Sequence, residues 1–345
     1  MSLYSEILEQ PERLEKLLET QRKNVEQIAS EIKARNIQFV FLAARGTSDN
    51  AGRYANYLLG AMNGLPLALA APSLFTYYHR PPRLKGALVV GVSQSGQSPD
   101  IVSVLEEGRR QGCATLGITN VPDSPLAKSA DFLLDIQAGP EVAVAATKTY
   151  TSELLTIAML SAALGGDEAH WTELAQVPDW VDTVLRQDDA IRQAAQRYRY
   201  MQQCVVLGRG YNYATAFEWA LKLKELTYVE AEPYSSADFQ HGPIALVAKG
   251  FPVLAIVADG KVSGTLMELL HHLKEDLFAE IVVVSNVPEA LSLAEVPICI
   301  PAKTPEWLTP LIGIIPAQLF AYHLAIAKGF DAEKPRSIRK VTETR

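Results

Sequence analysis

The sequence states one short theme twice. Val40-Phe41-Leu42-Ala43-Ala44-Arg45-Gly46 is echoed by Cys204-Val205-Val206-Leu207-Gly208-Arg209-Gly210, an apolar run closed by a glycine turn and followed by helical spacing. A repeat at the distance of a whole domain marks a duplicated unit and not a solenoid, whose period is roughly 20–50 residues. Around each copy, short aliphatic runs alternate with amphipathic stretches, the pattern of a parallel sheet covered by helices. The first group of expected strands is Phe39–Ala43, Ala87–Val92, Ala114–Ile118 and Phe132–Ile136. The second is Cys204–Leu207, Val253–Val257, Glu280–Val284 and Ile298–Ile300. Segments 12–34, 48–61 and 101–111 carry helical periodicity. The alternation breaks at Leu164-Gly165-Gly166-Asp167, and a polar, mostly helical stretch runs to Arg199. Within it Val177-Pro178-Asp179-Trp180 marks a helix start, because proline suits a first turn. A chain of 345 residues is long enough for two cores. The expected fold is α/β in two domains: 1–165 with the N-terminal helix, a helical linker over 166–200, a second domain over 201–334, and a tail over 335–345.

A formal net charge of −7 with no basic stripe argues against nucleic acid as a partner, yet leaves an anionic small molecule open. Cys113, Cys204 and Cys299 are odd in number, far apart and free of any CxxC spacing. That suits a reducing cytoplasm and provides neither a disulfide frame nor a thiolate metal site. No signal-type N-terminal segment and no membrane span is read from the sequence. Gly208-Arg209-Gly210 begins like a dinucleotide fingerprint, but Tyr213 holds the third glycine position and no acidic residue follows at the expected distance. Adjacent His271 and His272 diverge on a helix and make poor joint metal ligands.

The chemistry is densest at Ser93-Gln94-Ser95-Gly96-Gln97-Ser98, directly after the apolar run 87–92 and before a helix start at Pro99-Asp100. Backbone N–H groups at a helix start have no partners within the helix, so with the hydroxyls they can hold a phosphate without a Walker lysine. A serine-rich N-cap with no ligand would carry the same residues. Downstream, Glu218, Lys222 and Glu225 fall on one side of a helix over 216–226. Glu218 and Lys222 could pair and leave Glu225 at a pocket edge as a proton shuttle, although a solvated charged face explains the same spacing. Ser235–Pro243 reads as a polar loop carrying His241, which could exchange a proton near neutral pH or merely brace the loop. The tail Pro335-Arg336-Ser337-Ile338-Arg339-Lys340-Val341-Thr342 is basic in an acidic chain, where a frayed end is the ordinary expectation.

Together these pieces resemble the sugar isomerase (SIS) family, and within it the isomerase half of glucosamine-6-phosphate synthase and its stand-alone deaminase relatives. The resemblance runs from Glu6-Ile7-Leu8-Glu9-Gln10-Pro11 through Arg45-Gly46-Thr47-Ser48, Ser93–Gly96 and Ala145-Ala146-Thr147-Lys148. It continues through Leu207–Gly210, Leu221–Glu225 and His241-Gly242-Pro243 to Pro335-Arg336. It implies two tandem SIS domains, each a five-stranded parallel sheet flanked by helices. It further implies that Ser48, Ser93, Gln94, Ser95 and Ser98 hold a sugar 6-phosphate, with Thr47, Val144 and Ala146 also contacting the substrate. Glu225 matches the base that moves a proton between C1 and C2. His241 matches the ring-opening histidine, which reaches in from the neighbouring subunit and so implies a homodimer. Lys340 matches the tail lysine that closes over the sugar, and Glu218 and Lys222 match its polar supports. Ser98 stands in place of threonine, Ala146 of serine, Asp238 of glutamate, and Arg339 of a small residue.

The activity this resemblance implies is release of ammonia from glucosamine 6-phosphate, leaving fructose 6-phosphate, with no metal or redox cofactor. The synthase's glutaminase domain is not expected, since the chain begins Met1-Ser2-Leu3 and reaches isomerase-like sequence by Glu6. Operation in the amination direction, deglycation of a fructosamine 6-phosphate, and a non-catalytic sugar-phosphate sensor are the alternatives.

Overall fold

The computed structural model describes residues 2–340. Val341 and Thr342 of the basic tail, and Met1, lie outside the described residues. The chain forms two compact units. One, the first-sheet unit, contains residues 12–141 and 148–176 together with Arg339 and Lys340; the other, the second-sheet unit, contains residues 2–11, 142–147 and 177–338.

The first-sheet unit takes up most of α2 (Gln10–Lys33), then β1 (Phe39–Ala43), α3 (Gly46–Asn63), β2 (Leu67–Leu69), α4 (Ser73–Thr76), β3 (Ala87–Val92), α5 (Pro99–Arg110), β4 (Ala114–Thr119), α6 (Pro125–Ser129) and β5 (Phe132–Asp135). It closes with α7 (Lys148–Gly165) and α8 (Glu168–Leu174). All its strand pairs are parallel, in the order β2-β1-β3-β4-β5. Every residue of β3 and β4 is buried, as expected of strands covered on both faces.

The second-sheet unit opens with α1 (Leu3–Leu8) and resumes at α9 (Val177–Leu185) and α10 (Asp188–Arg197). Then come β6 (Gln203–Gly208), α11 (Tyr213–Thr227), β7 (Glu230–Ser235), α12 (Ser236–Phe239) and β8 (Pro252–Val257). α13 (Ser263–Glu275), β9 (Glu280–Ser285), α14 (Pro288–Leu293), β10 (Val296–Cys299) and α15 (Thr309–Ala327) complete it. Its parallel sheet runs β10-β9-β8-β6-β7, which is the order of the first sheet strand for strand.

The duplicated theme reaches down to single dihedrals. Arg45 and Arg209 each stand extended before the helical turn, at φ −139° and −151°. Gly46 and Gly210 each take the left-handed region, at φ +53° and +60°. Glycine makes that turn at no steric cost. The segment 306–327 is long and apolar enough to cross a membrane by length and composition, but 83% of its apolar window is buried within the protein. α15 is thus a core helix, packed against α9, α10 and α11.

Two strands escaped the sequence reading, β2 and β7. The stretch 235–243, expected as loop, contains the turn of helix α12 and opens a 3-10 turn over Pro243–Leu246. His271 and His272 lie exposed on α13, each against carboxylates of its own surface, as a solvated face requires.

Candidate functional site

In an open parallel sheet, ligands bind beyond the carboxyl ends of the strands, where the strand order reverses. In the first sheet that point lies between β1 and β3, because the chain leaves β1 towards β2 and returns on its other side as β3. The turns that end these two strands carry Thr47 and Ser48, and Ser93 to Ser98. Arg45 joins the two turns, its Nε donating to buried Asp100 of α5 at 2.8 Å.

The serine turn is shaped from within. The Ser93 N–H extends the β-ladder by donating to the Ile118 carbonyl at 3.1 Å. Its hydroxyl oxygen then accepts the Gly96 N–H at 3.2 Å and lies 3.4 Å from the Ser98 hydroxyl. Gly96 sits at φ +62°, where a Cβ would come within 2.1 Å of Ser124 Oγ, so backbone must pass there bare. Ser98 occupies the N-cap of α5, yet its hydroxyl makes no capping bond. An ordinary cap would spend its side-chain oxygen on an N–H of the first turn. The Ile101 N–H of that turn donates instead to the Ser98 carbonyl at 3.1 Å and to Asp100 Oδ1 at 3.0 Å. The Ser98 hydroxyl is thus not spent on its own helix, which favours the anion cradle over the ligand-free cap. Ser95 Oγ accepts the Gln97 N–H at 3.3 Å, while the Gln94 carbonyl accepts from Asn120 N–H at 3.2 Å. The side chain of Ser48 is differently engaged. It is buried and donates to the Glu153 carboxylate of α7 at 2.8 Å, so its proton is committed to that partner.

Also in the first-sheet unit, Lys340 does not fray. Its ammonium lies 2.5 Å from buried Glu141, whose carboxylate also accepts the Thr149 hydroxyl at 2.9 Å and the Thr149 N–H at 3.1 Å.

In the second-sheet unit, α11 carries the charged trio. Glu218 and Lys222 are fully buried, which rules out a solvated face for them. Lys222 Nζ lies 3.3 Å from Glu218 and 2.5 Å from Glu225, so it bridges both carboxylates and does not pair with Glu218 alone. Burial by itself would depress the Lys222 ammonium, but Glu218 and Glu225 outweigh it and hold its pKa above the ordinary lysine value. Glu225 keeps 23% of its side chain exposed, the only member of the trio that solvent reaches appreciably. His241 is exposed in the turn after α12, and its ring takes no hydrogen bond among the described residues. Val144 and Ala146 are half-buried in an irregular segment, 142–147, between β5 and α7.

Sequence reasoning singled out the serine turn and the α11 trio, but not Arg45, Asp100, Glu141 or Glu153. Only contacts formed by folding tie those four to the site. Their partners stand up to 199 residues away, as for Glu141 and Lys340.

The comparisons agree with this fold. The chain is 33% identical to a glutamine–fructose-6-phosphate aminotransferase (isomerizing) from Thermococcus kodakarensis over 98% of its own length, spanning 57% of that relative. It superposes with a TM-score of 0.88 on the C-terminal domain of glucosamine-fructose-6-phosphate aminotransferase from Francisella tularensis, at 28% identity, covering 96% of this chain and 98% of that one. Glucosamine-6-phosphate deaminase from Thermotoga maritima shares the fold over the whole of both chains, with a TM-score of 0.79 and 24% identity. The SIS domain model matches twice, over residues 32–163 and 200–328, one match to each sheet, and the chain belongs to the SIS domain family.

Proposed function

We propose that the chain interconverts an amino-sugar 6-phosphate and a ketose 6-phosphate, and that it releases ammonia from glucosamine 6-phosphate to leave fructose 6-phosphate. The observation that carries this reading is the hydroxyl-lined turn at the switch point, with its N-cap hydroxyl unused by its own helix. Ser93, Gln94, Ser95 and Ser98 take the phosphate, Ser48 borders it with its proton held by Glu153, and Thr47 contacts the substrate. Val144 and Ala146 contact it, with Ala146 leaving space where relatives carry a hydroxyl. His241, supplied by the partner subunit of a homodimer, passes the proton that opens the ring. Glu225 removes the C2 proton of the open aldose amine and returns it to C1, while a proton from the amine nitrogen passes to O1, so that C1 becomes the CH2OH group and C2 an imine. Water adds to that imine and ammonia leaves. Lys222 and Glu218 fix Glu225, and Lys340 closes over the sugar. Positioning and proton transfer between neighbouring carbons account for the chemistry.

The same proton transfer run backwards aminates fructose 6-phosphate, and the names of the relatives favour that direction. Incubation of the purified protein with glucosamine 6-phosphate, following ammonia and fructose 6-phosphate together, tests the first reading. Fructose 6-phosphate with ammonium tests the second, and a glycated amino acid 6-phosphate tests deglycation. Binding without turnover of any of these would overturn the catalytic reading and leave a sugar-phosphate sensor.

A further inference from the structure

The motif Glu6–Pro11 matches the family, yet nothing in the mechanism above uses it. Glu6 is a fully buried carboxylate on α1. It accepts the Val142 N–H at 2.5 Å and the Ala143 N–H at 3.3 Å from both oxygens. Fully buried Gln10 donates to Gln318 Oε1 of α15 at 2.8 Å, and Gln318 Nε2 donates to the Thr147 carbonyl at 3.3 Å. One short stretch of chain thus grips the segment 142–147 at both ends. That segment has no regular structure to set its own shape. Along it Ala143, Ala145 and Thr147 are buried while Val144 and Ala146 are half-exposed, so its register decides which side chains are presented.

The gripping helix is itself tied down at several points. Ser2 and Ser5 close a capping box, and Glu333 accepts the Leu3 N–H at 2.9 Å. The Tyr4 hydroxyl donates to Asp188 at 2.8 Å, and its ring stacks on Tyr322 at 5.2 Å. A buried anion makes shorter and stronger bonds to N–H groups than a neutral acceptor does, so it fixes backbone more tightly than an amide would.

We propose that Glu6, with Gln10, is a positioning residue that sets the register of segment 142–147 and thereby the grip on the sugar, leaving the phosphate grip untouched. This rests on the reading above that Val144 and Ala146 contact the sugar. Glu6→Ala removes the acceptor, whereas Glu6→Gln keeps the shape and one oxygen. Amide hydrogen exchange over residues 142–147 should accelerate about tenfold or more in Glu6→Ala and less in Glu6→Gln. KM for the sugar phosphate should rise about tenfold in Glu6→Ala, with kcat nearly unchanged and inhibition by inorganic phosphate unaltered. Glu6→Gln should recover most of that affinity, and it carries the test should Glu6→Ala fail to fold. Unchanged exchange over 142–147, or KM and phosphate inhibition rising together, would overturn the assignment. A wild-type protein that turns over no sugar phosphate defeats the proposed activity instead. The exchange measurement, with calorimetric binding of glucosamine 6-phosphate against inorganic phosphate, then still decides the role of Glu6.

Discussion

A hydroxyl at a helix start that caps nothing has little structural value, and Ser98 is such a hydroxyl. Ser98→Ala should therefore leave stability within about 0.5 kcal/mol of wild type, as for surface changes that break no special contact. It should raise the dissociation constant for sugar phosphate about tenfold to a hundredfold, the loss of one bond to a charged group. Calorimetric titration of both proteins checks this, and equal affinities would remove Ser98 from the cradle. Glu225→Gln keeps shape but cannot take a proton, so kcat should fall roughly 10²–10⁴-fold while phosphate binding persists. Steady-state kinetics beside a phosphate-binding isotherm separates the two effects. Lys222 is different, because it faces two carboxylates in the interior. Its folded pKa lies above its unfolded one, so its stabilisation is complete below about pH 10.4 and is lost only as pH rises through the folded value. Lys222→Met should cost roughly 3–5 kcal/mol by leaving those carboxylates without their cation. Urea unfolding should return a deficit at about pH 9 at least as large as at about pH 6, because both lie below the ordinary lysine pKa and the orphaned carboxylates take up protons more readily at the lower pH. A deficit that shrinks across that range would contradict the charge assignment.

Strands with apolar character on both faces were legible as elements; edges and buried charges were not. β1 and β3 follow the apolar runs residue for residue, and β4, β6, β8 and β9 exceed theirs by a residue or two. Both overlooked strands lie at a sheet edge. β2 has three residues, and β7 alternates exposed Glu230 and Glu232 with a proline, so neither shows a continuous apolar run. The charged stretch of α11 misled for the opposite reason. Its Glu218 and Lys222 are buried because α11 packs between β6, β7 and α15, and α15 is apolar on all sides. Spacing says which residues share a helix face but not what covers that face. Likewise the serine turn is a local pattern and could be read, whereas Ser48 and its acceptor Glu153 stand 105 residues apart. The contact of α11 with α15 includes Trp219 edge-on to Phe320, with centroids 5.9 Å apart and both rings buried. Phe320→Ala should destabilise the protein by about 3–5 kcal/mol through the cavity it leaves. Denaturant titration with an unchanged slope would report that loss, and a cost under about 1 kcal/mol would mean that α11 is held elsewhere.

At the scale of the molecule, two sheets of one topology offer two pseudo-equivalent anion sites, each at a switch point beside a helix start. Only one is open. After β3 the chain presents the hydroxyls of Ser93, Ser95 and Ser98. After β8 it runs Ala258-Asp259-Gly260-Lys261, and there the Lys261 N–H donates to the Glu306 carboxylate at 3.0 Å. Gly260 lies so close to that group that a Cβ would come within 2.2 Å of its carboxyl carbon. The protein's own anion fills the place a phosphate would take, and a second dianion would meet like charge instead of donors. The scaffold thus occurs twice, and on the function proposed above the phosphate cradle occurs once, while the second unit carries the Glu218–Lys222–Glu225 trio. The wild-type protein should bind one sugar phosphate per chain, and inorganic phosphate should saturate at the same stoichiometry. In the double variant Ser93→Ala and Ser98→Ala that binding should disappear altogether, because no other open cradle remains to take it up. Isothermal titration gives both numbers directly. Two equivalents per chain, or full stoichiometry surviving in the double variant, would mean that the second switch point binds anions despite Glu306.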